Sequence, residues 1–151
     1  MKNGGDKKEV QDIFAYVLAC GDPEIKLPLT REFNNRFDPK GYFWLPELGG
    51  SKDLSSPDIK GDRERLFRKI RDAYAVHHFG LIMLVNHSNC GKYKLSGVSF
   101  DDPRKEEEFH KEELNKASEF IKKEFPDMVV EILYFLKVEQ KTAWRRILSK
   151  S

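Results

Sequence analysis

A continuous apolar run, LIMLVN at residues 81–86, is followed at once by the polar segment HSNCG. A strand that is apolar at every position is typical of a parallel sheet with both faces covered, because neither face meets solvent. An earlier run, DIFAYVLA at residues 12–19, is also mostly apolar. It ends in turn chemistry, at Cys20, Gly21, Asp22 and Pro23. Both runs therefore predict buried strands that lead into a turn carrying a thiol.

Two more strands and three helices are predicted around these runs. GYFWLPEL at residues 41–48 and MVVEILYFLKV at residues 128–138 have the composition of strands. A helix is expected from Asp62, a good N-cap, to the glycine at position 80, because apolar residues recur at 3.6-residue spacing. A second helix is expected from Asp102 to Phe125, and TAWRRILSK at residues 142–150 predicts a short C-terminal helix.

The alternation of strands and helices fixes the expected architecture. Strands that alternate with helices are typical of α/β domains, since parallel strands need crossover connections. We therefore expect a three-layer α/β domain with a mostly parallel central sheet of about four strands flanked by helices. A chain of 151 residues fits one domain, spanning residues 1–151.

Composition and charge exclude several classes of function. The hydrophobic fraction of 39% is too high for a disordered chain. The 27 basic and 25 acidic residues nearly balance and are spread along the sequence, so neither a nucleic-acid partner nor a membrane partner is expected. No apolar stretch approaches the roughly 20 residues of a membrane span, and residues 1–12 do not resemble a signal peptide. A cytoplasmic protein is expected.

The two cysteines point to one edge of the predicted sheet. In a reducing compartment, Cys20 and Cys90 are expected as free thiols that are buried, reactive or bound to metal. Sites in open parallel sheets gather at the carboxyl ends of the strands, where Cys20 and Asp22 leave the first strand and His87 and Cys90 leave the third. If those strands are neighbours, the four side chains meet. Two thiolates, an imidazole and a carboxylate suit tetrahedral Zn²⁺.

Two other cysteine chemistries fit poorly. A phosphatase of the Cys-x5-Arg type needs an arginine six positions after its nucleophile, but Lys26 and Ser96 stand there. A nucleophilic Cys90 paired with His87 would lack a third group to orient the histidine, and residues three apart in one loop rarely form the required hydrogen bond.

The segments CGDPE at residues 20–24 and HSNCG at residues 87–91 resemble the Cys-x-Asp-x-Arg and His-x-x-Cys-Gly motifs of β-class carbonic anhydrases. The resemblance implies zinc held by Cys20, His87 and Cys90. It also implies a carbonate dehydratase, a zinc lyase that hydrates carbon dioxide reversibly to bicarbonate by means of a zinc-bound hydroxide. Asp22 would be either the fourth metal ligand of a closed site or the catalytic group that orients the hydroxide in an open one. A homodimer or higher homo-oligomer is also implied.

One motif position differs. Glu24 stands where the family has the arginine that pairs with the aspartate, so we expect Asp22 to move onto the metal and hydration to be slow or absent. Arg31 or Arg36, which follow the first motif, could instead take the place of the missing arginine. The alternative function is thus a weak or inactive zinc-binding protein of the same fold, with a closed four-ligand site.

Overall fold

A computed structural model describes residues 13–38 and 40–137. In chain order, its elements are β1 (Ala15–Ala19), α1 (Pro23–Phe37), β2 (Tyr42–Pro46), α2 (Lys52–Ser55), α3 (Asp62–Val76), β3 (Leu81–His87), α4 (Gly91–Leu95), α5 (Pro103–Glu124) and β4 (Val129–Phe135). The predicted C-terminal helix at residues 142–150 lies outside the described residues.

The four strands form one parallel sheet in the order β2-β1-β3-β4. The first and third strands of the chain are neighbours, with Ala15 opposite Leu81 and Leu18 opposite Leu84. Every residue of both strands is buried, as the continuous apolar runs predict. The predicted four-stranded α/β architecture is confirmed.

Helices cover both faces of this sheet, which gives the three predicted layers. On one face, α1 and α4 pack against the strands through Ile25, Leu29, Phe33, Phe37 and Tyr93. On the other face, α2, α3 and α5 contribute Leu54, Leu66, Ile70, Leu114, Ala117 and Ile121. β2 is an edge strand of the described sheet, and its half-buried aromatic side chains pack on both cores.

The helix α1 is not predicted from the sequence, although its pattern is amphipathic. Its buried residues recur every four positions, at Ile25, Leu29, Phe33 and Phe37. Asp22 is the N-cap, since its Oδ1 accepts a hydrogen bond from the Glu24 N–H at 2.9 Å, and Pro23 occupies the first turn. The same residues that signal a turn after β1 therefore also start a helix, which hides the helix in the sequence.

The other two long helices follow the prediction closely. α5 begins after Asp102, whose Oδ1 accepts a hydrogen bond from the Arg104 N–H at 2.8 Å. α3 begins at Asp62, but the capping position is Gly61, which takes a left-handed conformation with φ of 97°. Within the part of the chain described, no helix combines the length and the apolar character needed to cross a bilayer.

Candidate metal centre

The turns after β1 and β3 lie side by side at the carboxyl edge of the sheet. Cys20 follows β1 directly, His87 is the last residue of β3, and Cys90 is the N-cap of α4. One ligand atom from each of these three side chains lies within 4.8 Å of the other two. The residues are only 4%, 1% and 3% exposed, respectively. The neighbouring strands thus bring two thiols and one imidazole into a buried cluster.

The ring of His87 is held in one orientation. Its Nδ1 lies 2.7 Å from the backbone oxygen of Ser88, and a carbonyl can only accept, so Nδ1 carries the hydrogen and donates. Nε2 is left with its lone pair, and it is buried without a hydrogen-bond partner among the described residues. Metal-binding histidines commonly donate their second N–H to a carbonyl in this way. The donor set therefore fits a metal ion, which would satisfy a nitrogen that is otherwise costly to bury.

The two thiols are unlinked and differ in acidity. The hydrogen bond with Cys90, opposed by burial and assisted by His87, lowers the pKa of Cys20. The same hydrogen bond, together with burial, raises the pKa of Cys90. The pair therefore favours one thiolate and one thiol, and a bound divalent cation would deprotonate the second.

Asp22 lies beside this cluster. Its Oδ2 is 3.8 Å from His87 Nε2 and 2.8 Å from Lys137 Nζ, while its Oδ1 caps α1. Burial raises the pKa of this carboxyl, but the hydrogen bonds from Lys137 and from the Glu24 N–H outweigh it and lower the pKa of Asp22 overall. Asp22 is thus an ionised carboxylate with a cationic partner.

That partner is not one of the two arginines considered from the sequence. Arg36 Nη2 donates to Glu131 Oε1 at 2.7 Å, and Arg31 is exposed on α1. Glu24, which stands at the motif position of the arginine, has an exposed carboxylate 3.7 Å from Lys137 Nζ. The expectation that Asp22 lacks a cation is therefore wrong, because Lys137, 115 residues further along the chain, supplies it.

Lys137 is tied to the turn that carries His87. Its backbone N–H donates to Ser88 Oγ at 2.6 Å, and the Ser88 N–H donates to the Phe135 carbonyl at 2.9 Å. Sequence reasoning missed this residue. The available signal was a lysine at the end of the apolar run ILYFL, residues 132–136, on the edge where the candidate metal ligands gather.

One cavity borders the cluster, and a second lies beside the turn after β1. The first, of about 550 Å³, reaches Cys90 from the side of α4 and α5, and its walls include Tyr93, Val98, Phe100 and His110. The second, of about 380 Å³, is lined by Gly21, Lys26, Trp44 and Pro46 next to the end of β1. Small molecules therefore have space beside both turns.

A family model described as "Putative carbonic anhydrase" matches residues 10–144. The chain belongs to the carbonic anhydrase family. The resemblance seen in the motifs is thereby confirmed over nearly the whole sequence, and the Cys20, His87 and Cys90 cluster of this carbonic anhydrase-like chain could bind a metal. No curated protein matches the sequence.

Solved carbonic anhydrases share the fold. One from Glaciozyma antarctica is similar with a TM-score of 0.54 and 12% sequence identity, over 89% of this chain and 83% of that one. Two tetrameric β-carbonic anhydrases are known from the filamentous ascomycete Sordaria macrospora, and a chain from their crystal structures is also similar. Its TM-score is 0.50 and its sequence identity 12%, over 83% of this chain and 77% of that one. At such identity, the likeness establishes the fold alone.

Proposed function

We propose that this protein binds one Zn²⁺ through Cys20, His87 and Cys90 and hydrates carbon dioxide reversibly to bicarbonate. The observation that carries the proposal is the buried His87 Nε2, which lacks a hydrogen-bond partner within the described segments and lies beside two thiols. Membership of the carbonic anhydrase family supports it. Three protein ligands leave one position of a tetrahedral ion for water, which a catalytic zinc site requires.

Each residue of the proposed site has its own role. When bound, Zn²⁺ would bring the pKa of a water molecule towards neutrality and stabilise negative charge on the substrate oxygen. Cys20 and Cys90 supply sulfur and His87 supplies Nε2. Asp22 Oδ2, 3.8 Å from that nitrogen, accepts a hydrogen bond from the attacking water and so aligns its lone pair with the carbon. All three ligand side chains are buried, so bulk water has little access to the ligand atoms themselves.

Metal analysis and stopped-flow hydration on one preparation test this proposal. We expect about one zinc per chain, from the three-ligand site, and measurable hydration near neutral pH. Asp22→Asn should keep the metal and lose about tenfold or more in kcat, since the amide no longer orients the water as the carboxylate does. Asp101→Asn is a matched control on an exposed carboxylate. Protein that holds no zinc after gentle, reducing purification would contradict the proposal.

A closed zinc site without hydratase activity is the second candidate. Two observations favour it: Asp22 Oδ2 is close to His87 Nε2, and the Glu24 carboxylate competes with Asp22 for Lys137. In that case Asp22 would be the fourth ligand and no position would remain for water. X-ray absorption at the zinc edge separates the candidates, because it distinguishes a carboxylate from a water oxygen when combined with the Asp22→Asn variant.

We also propose that the protein is a cytoplasmic homo-oligomer. Its ligand thiols must stay reduced to bind metal, which suits a reducing compartment. The similar enzymes of Sordaria macrospora are tetrameric, and the β-class resemblance implies at least a dimer. Sedimentation of the zinc-loaded protein at micromolar concentration tests the assembly, and a purely monomeric species would reject it.

A further inference from the structure

Lys137 is a largely buried ammonium group next to the candidate metal centre. Its side chain is only 9% exposed, and Nζ lies 2.8 Å from Asp22 Oδ2 and 3.7 Å from Glu24 Oε2. An ammonium withdrawn from water is costly unless anionic partners hold it, so this pair differs from a mobile surface ion pair. The position of the ammonium group therefore restrains the Asp22 carboxylate.

The backbone of Lys137 is fixed by a residue that also orients a metal ligand. Ser88 accepts a hydrogen bond from the Lys137 N–H at its Oγ, and its carbonyl accepts one from His87 Nδ1. Both bonds meet at Ser88, so the backbone of Lys137 and the ring of His87 are tied to the same residue.

Asp22 Oδ2 lies where two cations would compete for it. Two ligand atoms on one tetrahedral Zn²⁺ are separated by roughly 3.4 Å, given bond lengths of about 2.1 Å. The observed 3.8 Å between Asp22 Oδ2 and His87 Nε2 is only slightly larger, so a small movement would bring this oxygen onto a metal held by His87. The hydrogen bond from Lys137 holds the same oxygen back.

We propose that Lys137 is the positioning residue that keeps Asp22 off the metal and leaves the fourth coordination position open to water. The inference rests on the proposed zinc site. Asp22 is held at both oxygens, Oδ1 by the Glu24 N–H and Oδ2 by Lys137, which replaces the two-pronged grip that a guanidinium would give. A cation from the segment after β4 thereby compensates for the glutamate at position 24.

The test compares coordination, not activity alone, in four proteins: wild type, Lys137→Met, Lys137→Arg and the exposed-lysine control Lys105→Met. Each is loaded with Co²⁺ for water-proton relaxation and with zinc for X-ray absorption. Wild type, Lys137→Arg and Lys105→Met should each show one exchangeable water. Lys137→Met should lose this water, gain a carboxylate oxygen and lose about tenfold or more in kcat while its metal content is unchanged.

Adding Asp22→Asn to Lys137→Met should restore the exchangeable water without restoring hydration, because the competing carboxylate is gone. Retention of the water in Lys137→Met, or a closed site already in the wild type, would overturn the inference while leaving zinc binding intact. A wild type without zinc would instead overturn the proposed function. Lys137→Gln is made in parallel with Lys137→Met. Melting curves show which of these two variants is folded, and that variant decides the outcome.

Discussion

The two turns that form the candidate metal centre differ in how firmly they are held. After β3, His87, Ser88 and Cys90 are all buried. Ser88 is bound to Phe135 of β4 through its backbone and to Lys137 through its side chain. After β1, Cys20 is buried, but Asp22 is partly exposed and the side chain of Glu24 is largely in solvent. One turn thus supplies buried ligands, and the other supplies a buried ligand followed by a partly exposed carboxylate that Lys137 restrains.

This difference suits a metal site that must stay loaded and also react. Ligands on a buried, hydrogen-bonded turn lose little freedom when they bind an ion. A partly exposed carboxylate depends on its ion pair with Lys137 to keep its position, because it is less enclosed than the buried ligands. Substitutions in the turn after β3 and at Cys20 should therefore affect metal binding and stability, whereas those at Asp22 and Glu24 should affect the occupant of the fourth position.

The largest effect is expected for Cys90→Ser, in the firmly held turn. Loss of a thiolate ligand should weaken zinc binding by more than about 100-fold, and added zinc should no longer raise the melting temperature. Asp22→Asn, in the other turn, should keep most of the zinc affinity. Calorimetric titration with zinc measures both. Equal losses in the two variants would remove the distinction between the turns.

The second effect concerns the pH dependence of stability and involves His110 of α5, which lies near the turn after β3. Its Nδ1 contacts Asn86 Nδ2 at 3.2 Å, and its ring packs against Tyr93 and Tyr134. Burial, with a smaller contribution from the charge of His87, lowers the pKa of His110 from 6.5 to about 4. In this range the unfolded chain binds a proton that the folded chain does not, so stability is present above pH 6.5 and is lost as the pH falls to 4.

The full loss of unfolding free energy between pH 6.5 and 4 amounts to about 3 kcal/mol, at about 1.4 kcal/mol per pKa unit. His110→Phe should flatten the dependence of unfolding free energy on pH across this window, although it also removes the bond with Asn86. Urea unfolding of the metal-free proteins at several pH values provides the measurement. An unchanged slope would show that other groups are responsible.

Ser88→Ala should have an intermediate effect. It removes the hydrogen bond between Ser88 Oγ and the Lys137 N–H in a buried position, at an expected cost of about 1–2 kcal/mol in unfolding free energy. Zinc affinity should fall by about tenfold or less, because His87 keeps its bond to the Ser88 carbonyl. Ser99→Ala, at an exposed position, is the control. No difference between the two variants would show that Ser88 does not fix the turn.

The smallest effect is expected for Glu24→Arg, at the exposed end of the other turn. From the sequence alone, this change should raise hydration by restoring the motif. Because Lys137 already pairs with Asp22, we now expect a change in kcat of less than about threefold and in stability of less than about 0.5 kcal/mol. Glu24→Gln separates loss of the carboxylate from gain of a positive charge. A large rise in kcat would mean that Lys137 does not restrain Asp22.

The parts of the fold that were predictable are those with local signals. The apolar runs of β1 and β3 and the caps of α3 and α5 lie within a few residues of their predicted limits. The cysteines and His87 were found because each follows a strand, and parallel neighbours place such residues together. The helix α1 was not predicted, because Asp22 and Pro23, which start it, also indicate a turn.

Other features depend on contacts between distant parts of the chain. The pairing of Lys137 with Asp22 joins the last described residue to the first turn of the site, and no spacing rule connects them. His110 lies on a strongly charged helix, where a single histidine is unremarkable in the sequence. Its complete burial results from the packing of α5 on the sheet.

Asp22 has two structural roles, one for each carboxylate oxygen, and this limits the substitutions that the chain can tolerate at this position. Its Oδ1 starts α1, while its Oδ2 faces the candidate metal centre, so a residue at this position must cap the helix whatever occupies that centre. Position 24 is under no such constraint, because only its backbone N–H takes part in the cap. A substitution at position 24 therefore leaves the start of α1 intact, whereas one at position 22 disturbs the helix as well as the candidate metal centre.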